Sequence, residues 1–289
     1  MKHLGFIGLG AMGAPMARAL INADFQLQLF DPVAERIRPL LELGSSQAAS
    51  PKEASEDTDV IVVMVANASQ AEDALFGESG ASFGLVQGGT ILLMSTVGPE
   101  AVRNFARRGA EQGLRIMDAP VSGGVRRAET GELLIMAGGE RDLFDELRPI
   151  LDVMGSTVVH CGDDPGDGQS VKLVNQLLCG AHIAVAGEAL AYASSLGLDQ
   201  RFVFETIRHG AANSFMLEDR GERMLTEEFT PAKSALDIFV KDLGLVLEEA
   251  RQRGFDAPLA STAQELFARG ASLGFGTEDD SGIVRVFGR

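Results

Sequence analysis

The chain has little of what builds disulfide frameworks, metal centres or nucleic-acid interfaces. Its 289 residues include two cysteines, Cys161 and Cys179, and four histidines without metal-ligand spacing. Neither a disulfide framework nor a metal site is therefore expected. Basic residues number 25 against 41 acidic ones, which gives a formal net charge of −16. That charge opposes binding to nucleic acid and to anionic membranes, so we expect neither as a partner.

Long apolar runs are also missing, and we expect no leader segment. No apolar run reaches the roughly 18 residues of a membrane-spanning helix. A strand-like segment begins almost at the first residue, which leaves no room for a signal peptide. We therefore expect a soluble, cytoplasmic protein. Its length is sufficient for two domains with separate cores.

The most informative segment is a glycine-spaced turn, GFIGLGAMG, at residues 5–13. It follows an apolar strand predicted over 4–7 and opens a helix predicted over 11–21. Asp31 closes the next strand-like run, residues 25–30. A tight glycine turn, a helix N-terminus and a later acidic residue are the features that bind a pyrophosphate and an adenosine ribose. We predict a dinucleotide site; the alternative is a tight turn that merely needs small residues.

Strands and helices alternate through the first half of the chain, which predicts a doubly wound, largely parallel sheet of the Rossmann type. Downstream of a glycine-rich and acidic stretch at 162–168, every segment has a helical pattern. We therefore predict a dinucleotide-binding domain over 1–163 and an all-helical domain over 164–289. A long helix over 169–196, apolar almost all round, joins them and is expected in a core or between subunits. The further predicted strands are 59–66, 90–94, 114–118, 133–137 and 157–160.

Lys172 and Asn175 stand three residues apart near the start of this apolar helix and so share one face, with Gln176 beside it. An amine and an amide in such a place suggest a site where a substrate oxygen is bound and a proton is moved. Burial and the helix N-terminal dipole would both favour the neutral amine. A lysine whose head group reaches solvent is the alternative.

Two further candidates follow predicted strands, at the sheet edge where such folds bind ligands. In DAPVSGG, residues 118–124, the Ser122 hydroxyl and two glycine amides could bind a carboxylate, or the segment could be an ordinary turn. Thr96 could reach the nicotinamide end of a cofactor, or it could cap the next helix.

Charged residues elsewhere are weaker candidates for a functional role. Lys241 and Asp242 lie inside an apolar helix, where a solvated stripe is the alternative to a functional role. Arg126 and Arg127 are expected at the surface. The acidic run 278–280 is expected to be a solvated loop.

Together these segments resemble the β-hydroxyacid dehydrogenase family over essentially the whole chain. The matching motifs are GFIGLGAMG at 5–13, DAPVSGG at 118–124, GDGQSVKLVNQ at 166–176 and KD at 241–242. The resemblance implies that Lys172 is the catalytic residue. The implied substrate-binding residues are Ser122, Gly123, Gly124, Asn175 and Gln176. The implied cofactor-binding residues are Gly8, Leu9, Gly10, Ala11, Met12, Gly13, Asp31, Pro32, Val65, Thr96 and Lys241.

The resemblance also implies the reaction, an NAD-dependent oxidation of a small hydroxy acid by a homodimer or homotetramer. The segments 175–183, 209–214, 235–244 and 277–281 are similar to those of a family member that acts on L-threonate, so the resemblance implies oxidation of L-threonate at C2. Gln176 and the pair at 126–127 depart from the broader family pattern, which weakens a simple 3-hydroxyisobutyrate assignment. Asp31 favours NAD, because a carboxylate accepts hydrogen bonds from ribose hydroxyls and repels a 2′-phosphate. The alternatives are a related enzyme for tartronate semialdehyde, succinic semialdehyde or 3-hydroxyisobutyrate, and a non-catalytic dinucleotide sensor.

Overall fold

The computed structural model describes residues 3–288, which form one sheet followed by a helical region. The strands are β1 (His3–Ile7), β2 (Gln26–Phe30), β3 (Ser46–Gln47), β4 (Val60–Val63), β5 (Thr90–Leu93), β6 (Arg115–Asp118), β7 (Val121–Ser122), β8 (Leu134–Gly138) and β9 (Thr157–Gly162). The α-helices are α1 (Gly13–Asn22), α2 (Ala34–Leu41), α3 (Pro51–Ser55), α4 (Ala68–Phe76), α5 (Pro99–Glu111), α6 (Gly124–Thr130), α7 (Arg141–Met154), α8 (Asp167–Ser195), α9 (Gln200–Ile207), α10 (Phe215–Thr226), α11 (Leu236–Gln252) and α12 (Pro258–Gly270).

The chain divides into two compact units, the first ending at Lys172 and the second beginning at Leu173. The first turn of α8 belongs to the first unit because Gln169 is bonded there. Its side chain donates to the Ser95 carbonyl and accepts from the Val97 and Gly98 amides. The sequence-based boundary at residues 163 and 164 stays a prediction.

The sheet of the first unit has the strand order β3-β2-β1-β4-β5-β6-β8-β7, with β9 paired to β8. All pairs from β3 through β6 are parallel, and β8 runs antiparallel to both β6 and β7. The order reverses between β1 and β4, which is the switch point where such sheets bind ligands. The predicted doubly wound, largely parallel sheet is confirmed. The antiparallel direction of β8 was not predicted, because an apolar run carries no record of strand direction.

Helices cover both faces of this sheet, so its central strands are buried on both sides. Phe6 and Met16 belong to a core beneath α1, α2 and α7, whereas Ile61 and Phe105 belong to a separate core beneath α3, α4 and α5. This double burial explains why β4 is a continuous β-branched run, Val60–Val63, rather than an alternating one.

Every regular element in the described part of the second unit is a helix, apart from a single β-bridge, which confirms the predicted helical region. Its core packs Phe204, Phe239 and Phe267 with aliphatic side chains from several helices. The rings of Phe239 and Phe267 are stacked 5.1 Å apart.

The expectation of a solvated loop at 278–280 is wrong. Asp279 and Asp280 are fully buried and lie beside arginines of α10. Arg223 Nη1 is 2.5 Å from Asp279 Oδ2, and Arg220 Nη2 is 2.9 Å from Asp280 Oδ2. Buried carboxylates need such partners, because an unpaired charge in a protein interior is costly.

One side of the long helix α8 is largely exposed. By length and composition it could cross a membrane, although 39% of its most apolar 18-residue window is buried. The expectation that no apolar run reaches this length missed α8, because this helix mixes small and amide residues into its apolar pattern. A helix in a core or under a second subunit passes the same test of length and composition.

Candidate active site

The glycine turn predicted from the sequence lies between the end of β1 and the start of α1, at the carboxyl edge of the sheet. Gly8 has φ +92°, and a Cβ there would lie 2.3 Å from the Met64 carbonyl oxygen. A Cβ on Gly13 would lie 1.9 Å from the Gly8 carbonyl oxygen. At Gly10, by contrast, a Cβ would point into open space. The turn therefore exposes backbone at Gly10 where a pyrophosphate can approach the helix N-terminus, so these residues fit the predicted cofactor.

Asp31, at the end of β2, is buried and fastens this turn. Its Oδ2 accepts from the Leu9 amide at 2.7 Å, and its Oδ1 accepts from the Val33 amide at 2.8 Å. Oδ2 can accept a second hydrogen bond, so a ribose hydroxyl can still be bound there. Arg36 Nη1 lies 3.4 Å from Oδ1, which places a cation beside the same carboxylate. The neighbouring Pro32 is exposed.

The next two predicted cofactor residues follow β4 and β5 at the same edge of the sheet. The Val65 amide donates to Ser95 Oγ at 2.7 Å, which links the loops after these two strands. Val65 and Thr96 are both half-buried. Because neighbouring parallel strands end together, the structure brings the glycine turn, Asp31, Val65 and Thr96 to one edge.

The Ser122-Gly123-Gly124 segment leads from β7 into α6. Gly123 has φ +134° and Gly124 has φ +69°, and a Cβ on Gly123 would lie 2.7 Å from Cδ of Arg127. Successive amides with positive φ can point the same way and form an anion-binding concavity. Arg126 and Arg127 are exposed on α6, as predicted from the sequence.

The start of α8 is fixed by Asp118, at the end of β6. The Asp118 carboxylate accepts from the Gly166 amide at 2.6 Å and from the Gln169 amide at 2.7 Å, so it caps donors that have no partner inside the helix. Burial raises the pKa of Asp118 to about 7, although both amide hydrogen bonds act in the opposite direction. Asp118 was predicted only as part of the substrate motif at 118–124, and its capping role was missed.

Lys172 follows one turn after these contacts and is buried, with 5% of its surface exposed. That burial does not fit the alternative of an amine reaching into solvent. Asp118 and Gln169 together fix the helical turn that carries it. The role of Gln169 was also missed, because a glutamine between Asp167 and Ser170 gives no sign in the sequence that it is 0% exposed.

In the second unit, Asn175 and Gln176 are connected to the Lys-Asp pair of α11. Asn175 Nδ2 donates to Gln176 Oε1 at 2.9 Å, and Gln176 Nε2 donates to Asp242 Oδ2 at 2.5 Å. Lys241 Nζ lies 2.9 Å from Asp242 Oδ1. Asp242 is therefore part of a buried polar network, and the alternative of a solvated stripe does not apply to it.

Cys161 is not arranged as a nucleophile. Burial, assisted by the negative charges of Asp118 and Asp167, raises the pKa of its thiol to about 11. The thiolate form that reacts is therefore scarce at neutral pH.

The fold and these residues define the class of protein, a dinucleotide-binding oxidoreductase. Residues 3–162 match the family described as the NAD binding domain of 6-phosphogluconate dehydrogenase. Residues 166–287 match the family described as NAD-binding of NADP-dependent 3-hydroxyisobutyrate dehydrogenase. The chain belongs to the β-hydroxyacid dehydrogenase family and acts on a hydroxy acid, as the resemblance implied.

Individual relatives match over nearly their whole length. The chain is 40% identical to an L-threonate dehydrogenase of Cupriavidus necator, over 99% of this chain and 96% of the relative. It is 38% identical to the 2-hydroxy-3-oxopropionate reductase of Escherichia coli, over 98% and 96% of the two chains. The crystal structure of a 3-hydroxyisobutyrate dehydrogenase from Salmonella typhimurium has a TM-score of 0.92 and 37% identity, covering 99% of this chain and 100% of the other.

Proposed function

We propose that this protein oxidises L-threonate at C2 to the 2-oxo acid, with NAD as the hydride acceptor. The observation that carries this proposal is the similarity, over almost the full chain, to proteins named L-threonate dehydrogenases. A specific second candidate is reduction of 2-hydroxy-3-oxopropionate (tartronate semialdehyde), because the relative of that name is nearly as similar.

The proposed roles follow the motifs residue by residue. Ser122 and the two glycine amides after it bind the substrate carboxylate, and Asn175 binds a neighbouring oxygen. Lys172 accepts the hydroxyl proton as the hydride leaves for the nicotinamide, and donates it in the reverse reaction. The burial of Lys172 supports this role, since exclusion of water strengthens the electrostatic interactions between a catalytic group and the reacting oxygen.

The preference for NAD is proposed from Asp31. Its buried carboxylate accepts hydrogen bonds and would repel the extra phosphate of NADP. Arg36 opposes this effect, because its guanidinium lies beside the same carboxylate and could attract that phosphate. We therefore propose a preference for NAD that Arg36 limits, rather than an absolute selection.

A panel of acids and semialdehydes tests substrate and cofactor together, with the nicotinamide absorbance as the readout. We expect the highest kcat/KM with L-threonate and NAD, and weaker activity with NADP that falls further in Arg36→Ala. Faster reduction of 2-hydroxy-3-oxopropionate would favour the second candidate, and preference for NADP would contradict the role given to Asp31. Cofactor binding without turnover of any compound would favour the non-catalytic sensor.

We also propose that a second copy of the chain covers one stripe of α8, in a cytoplasmic homodimer or homotetramer. Val174, Leu178, Val185 and Tyr192 are 63%, 50%, 56% and 63% exposed. Their spacing places them along one side of the helix. An apolar stripe of this length is typical of a subunit interface. The net charge of −16 argues against nucleic acid or a membrane as the cover.

Size-exclusion chromatography with light scattering, which measures the mass of the eluted protein, tests this proposal. We expect a mass of two or four chains for the wild type and a shift towards the monomer in Leu178→Glu. Phe255→Glu, which changes an equally apolar exposed side chain away from α8, serves as the control and should leave the mass unchanged. A monomeric wild type would refute the proposal.

A further inference from the structure

A hydrogen-bond chain in the second unit ends at an amide that the proposed function places at the substrate. Asn175 Nδ2 donates to Gln176 Oε1 and, at 3.4 Å, to Cys179 Sγ. Gln176 Nε2 donates in turn to the Asp242 carboxylate, whose other oxygen faces Lys241. Gln176 and Asp242 are 6% and 2% exposed, so water does not compete for these bonds.

The carboxylate determines the direction of every bond in this chain. An ionised carboxylate only accepts hydrogen bonds, so Gln176 must turn its NH₂ group towards Asp242. The Gln176 carbonyl oxygen then faces Asn175, which must donate to it from its own NH₂ group. Without Asp242 either amide could rotate by half a turn and keep its shape, because the oxygen and nitrogen ends are nearly the same size.

We propose that Asp242 and Gln176 are positioning residues that fix the Asn175 amide with its carbonyl oxygen towards the substrate. Both hydrogens of Asn175 Nδ2 are directed to Gln176 and Cys179, so Oδ1 is the group that Asn175 offers to a ligand. An acceptor binds a hydroxyl group and repels a carboxylate. We call the set Asn175, Gln176 and Asp242 the amide relay.

The amide relay predicts which substrates are preferred. This step rests on the proposed function, in which Lys172 contacts the reacting hydroxyl. Asn175 follows Lys172 by three residues on the same helix, and we propose that its acceptor binds the hydroxyl on the carbon next to the reacting one. The relay should therefore favour acids with two adjacent hydroxyl groups over acids that lack the second. For L-threonate the matching deoxy analogue is 2,4-dihydroxybutanoate.

Asp242→Asn tests the relay, because an amide at this position can donate or accept and no longer fixes Gln176. We expect kcat/KM for L-threonate to fall roughly tenfold, the value of one hydrogen bond. Activity on 2,4-dihydroxybutanoate, which lacks the hydroxyl in question, should change much less. A residue that merely supports the fold would lower both activities equally, and that result would overturn the proposal.

The double variant Asp242→Asn/Gln176→Glu provides the sharper test, because it exchanges the two groups. The new amide donates to the new carboxylate, whose second oxygen accepts from Asn175, so the orientation of Asn175 is restored. We expect the preference for L-threonate to recover, whereas Gln176→Glu alone sets two carboxylates against each other and loses activity on both acids. Failure of the double variant to recover the preference would also overturn the proposal.

Asp237→Asn is the matched control, since Asp237 is an exposed carboxylate on the same helix and should leave both activities unchanged. If the wild type oxidises neither acid, the proposed function fails, and the relay is tested separately by NMR. Hydrogen exchange of the Gln176 side-chain amide should be slow in the wild type and fast in Asp242→Asn. Equal exchange in the two proteins would refute the relay whatever the substrate.

Discussion

Lys172→Ala is expected to lower kcat by about 10²–10⁴-fold, the usual contribution of a positioned acid or base. The dissociation constant for the cofactor should change little, because the glycine turn and Asp31, which are proposed to bind it, are left intact. The value of kcat should fall because removal of the amine leaves the hydroxyl proton without an acceptor while the hydride departs. Steady-state kinetics with the best acid of the panel, together with a titration of the cofactor, measure both quantities.

Lys172→Arg separates proton transfer from charge. A guanidinium keeps the positive charge but does not release its proton at the pH of the assay, so this variant should be almost as slow as Lys172→Ala. Small primary amines added to Lys172→Ala should restore part of the rate. Lys52→Ala changes an exposed lysine of the same unit and should behave as the wild type. A Lys172→Ala variant with nearly normal turnover would contradict the proposed role.

Local features of the sequence were sufficient to predict the dinucleotide site. The glycine turn, the strand before it and the helix after it lie within a short stretch, and Asp31 closes the next strand. Tight approaches at Gly8 and Gly13 are consequences of this local geometry. Such motifs are visible in a sequence because all the atoms that they bring together are close along the chain.

Long-range partners could not be predicted in this way. Asp118 caps amides 48 and 51 residues further along the chain, and Arg223 binds Asp279 at a separation of 56 residues. Nothing in the run Glu278-Asp279-Asp280 distinguishes carboxylates paired with buried arginines from carboxylates in water. The distinction arises only when α10 and the C-terminal segment pack together.

The amide relay depends both on residues that are adjacent in the sequence and on a long-range partner. Asn175 and Gln176 are adjacent, and their polarity in an apolar helix was a visible signal of function. The direction of their hydrogen bonds depends on Asp242, 66 residues beyond Gln176. A sequence can therefore identify the amides of a site, whereas the partner that turns an amide into an acceptor is defined by the fold.

Asp118 is expected to make the stability of the protein depend on pH. Relative to Asp118→Asn, the free energy of unfolding of the wild type should fall by up to about 4 kcal/mol between about pH 4 and pH 8. Burial raises the pKa of Asp118 to about 7 in the folded protein, well above the usual value in an unfolded chain. The folded state therefore binds the proton on Asp118 more tightly than the unfolded state does. The stabilisation that this proton gives the folded state is complete at low pH and is lost as the pH rises through 7.

Urea unfolding of both proteins across this pH range measures the difference. Asp118→Asn does not titrate, and its amide, like a protonated carboxyl group, accepts fully with one oxygen, so the two proteins should be most alike in stability at low pH. Asp145→Asn, which changes an exposed carboxylate of the same unit, gives the pH dependence of a solvated group. A wild type that instead gains stability over Asp118→Asn as the pH rises would show that the two amide hydrogen bonds outweigh burial. In that case Asp118 would cap the helix of Lys172 as a carboxylate throughout this pH range, and its protonation would not make the activity depend on pH.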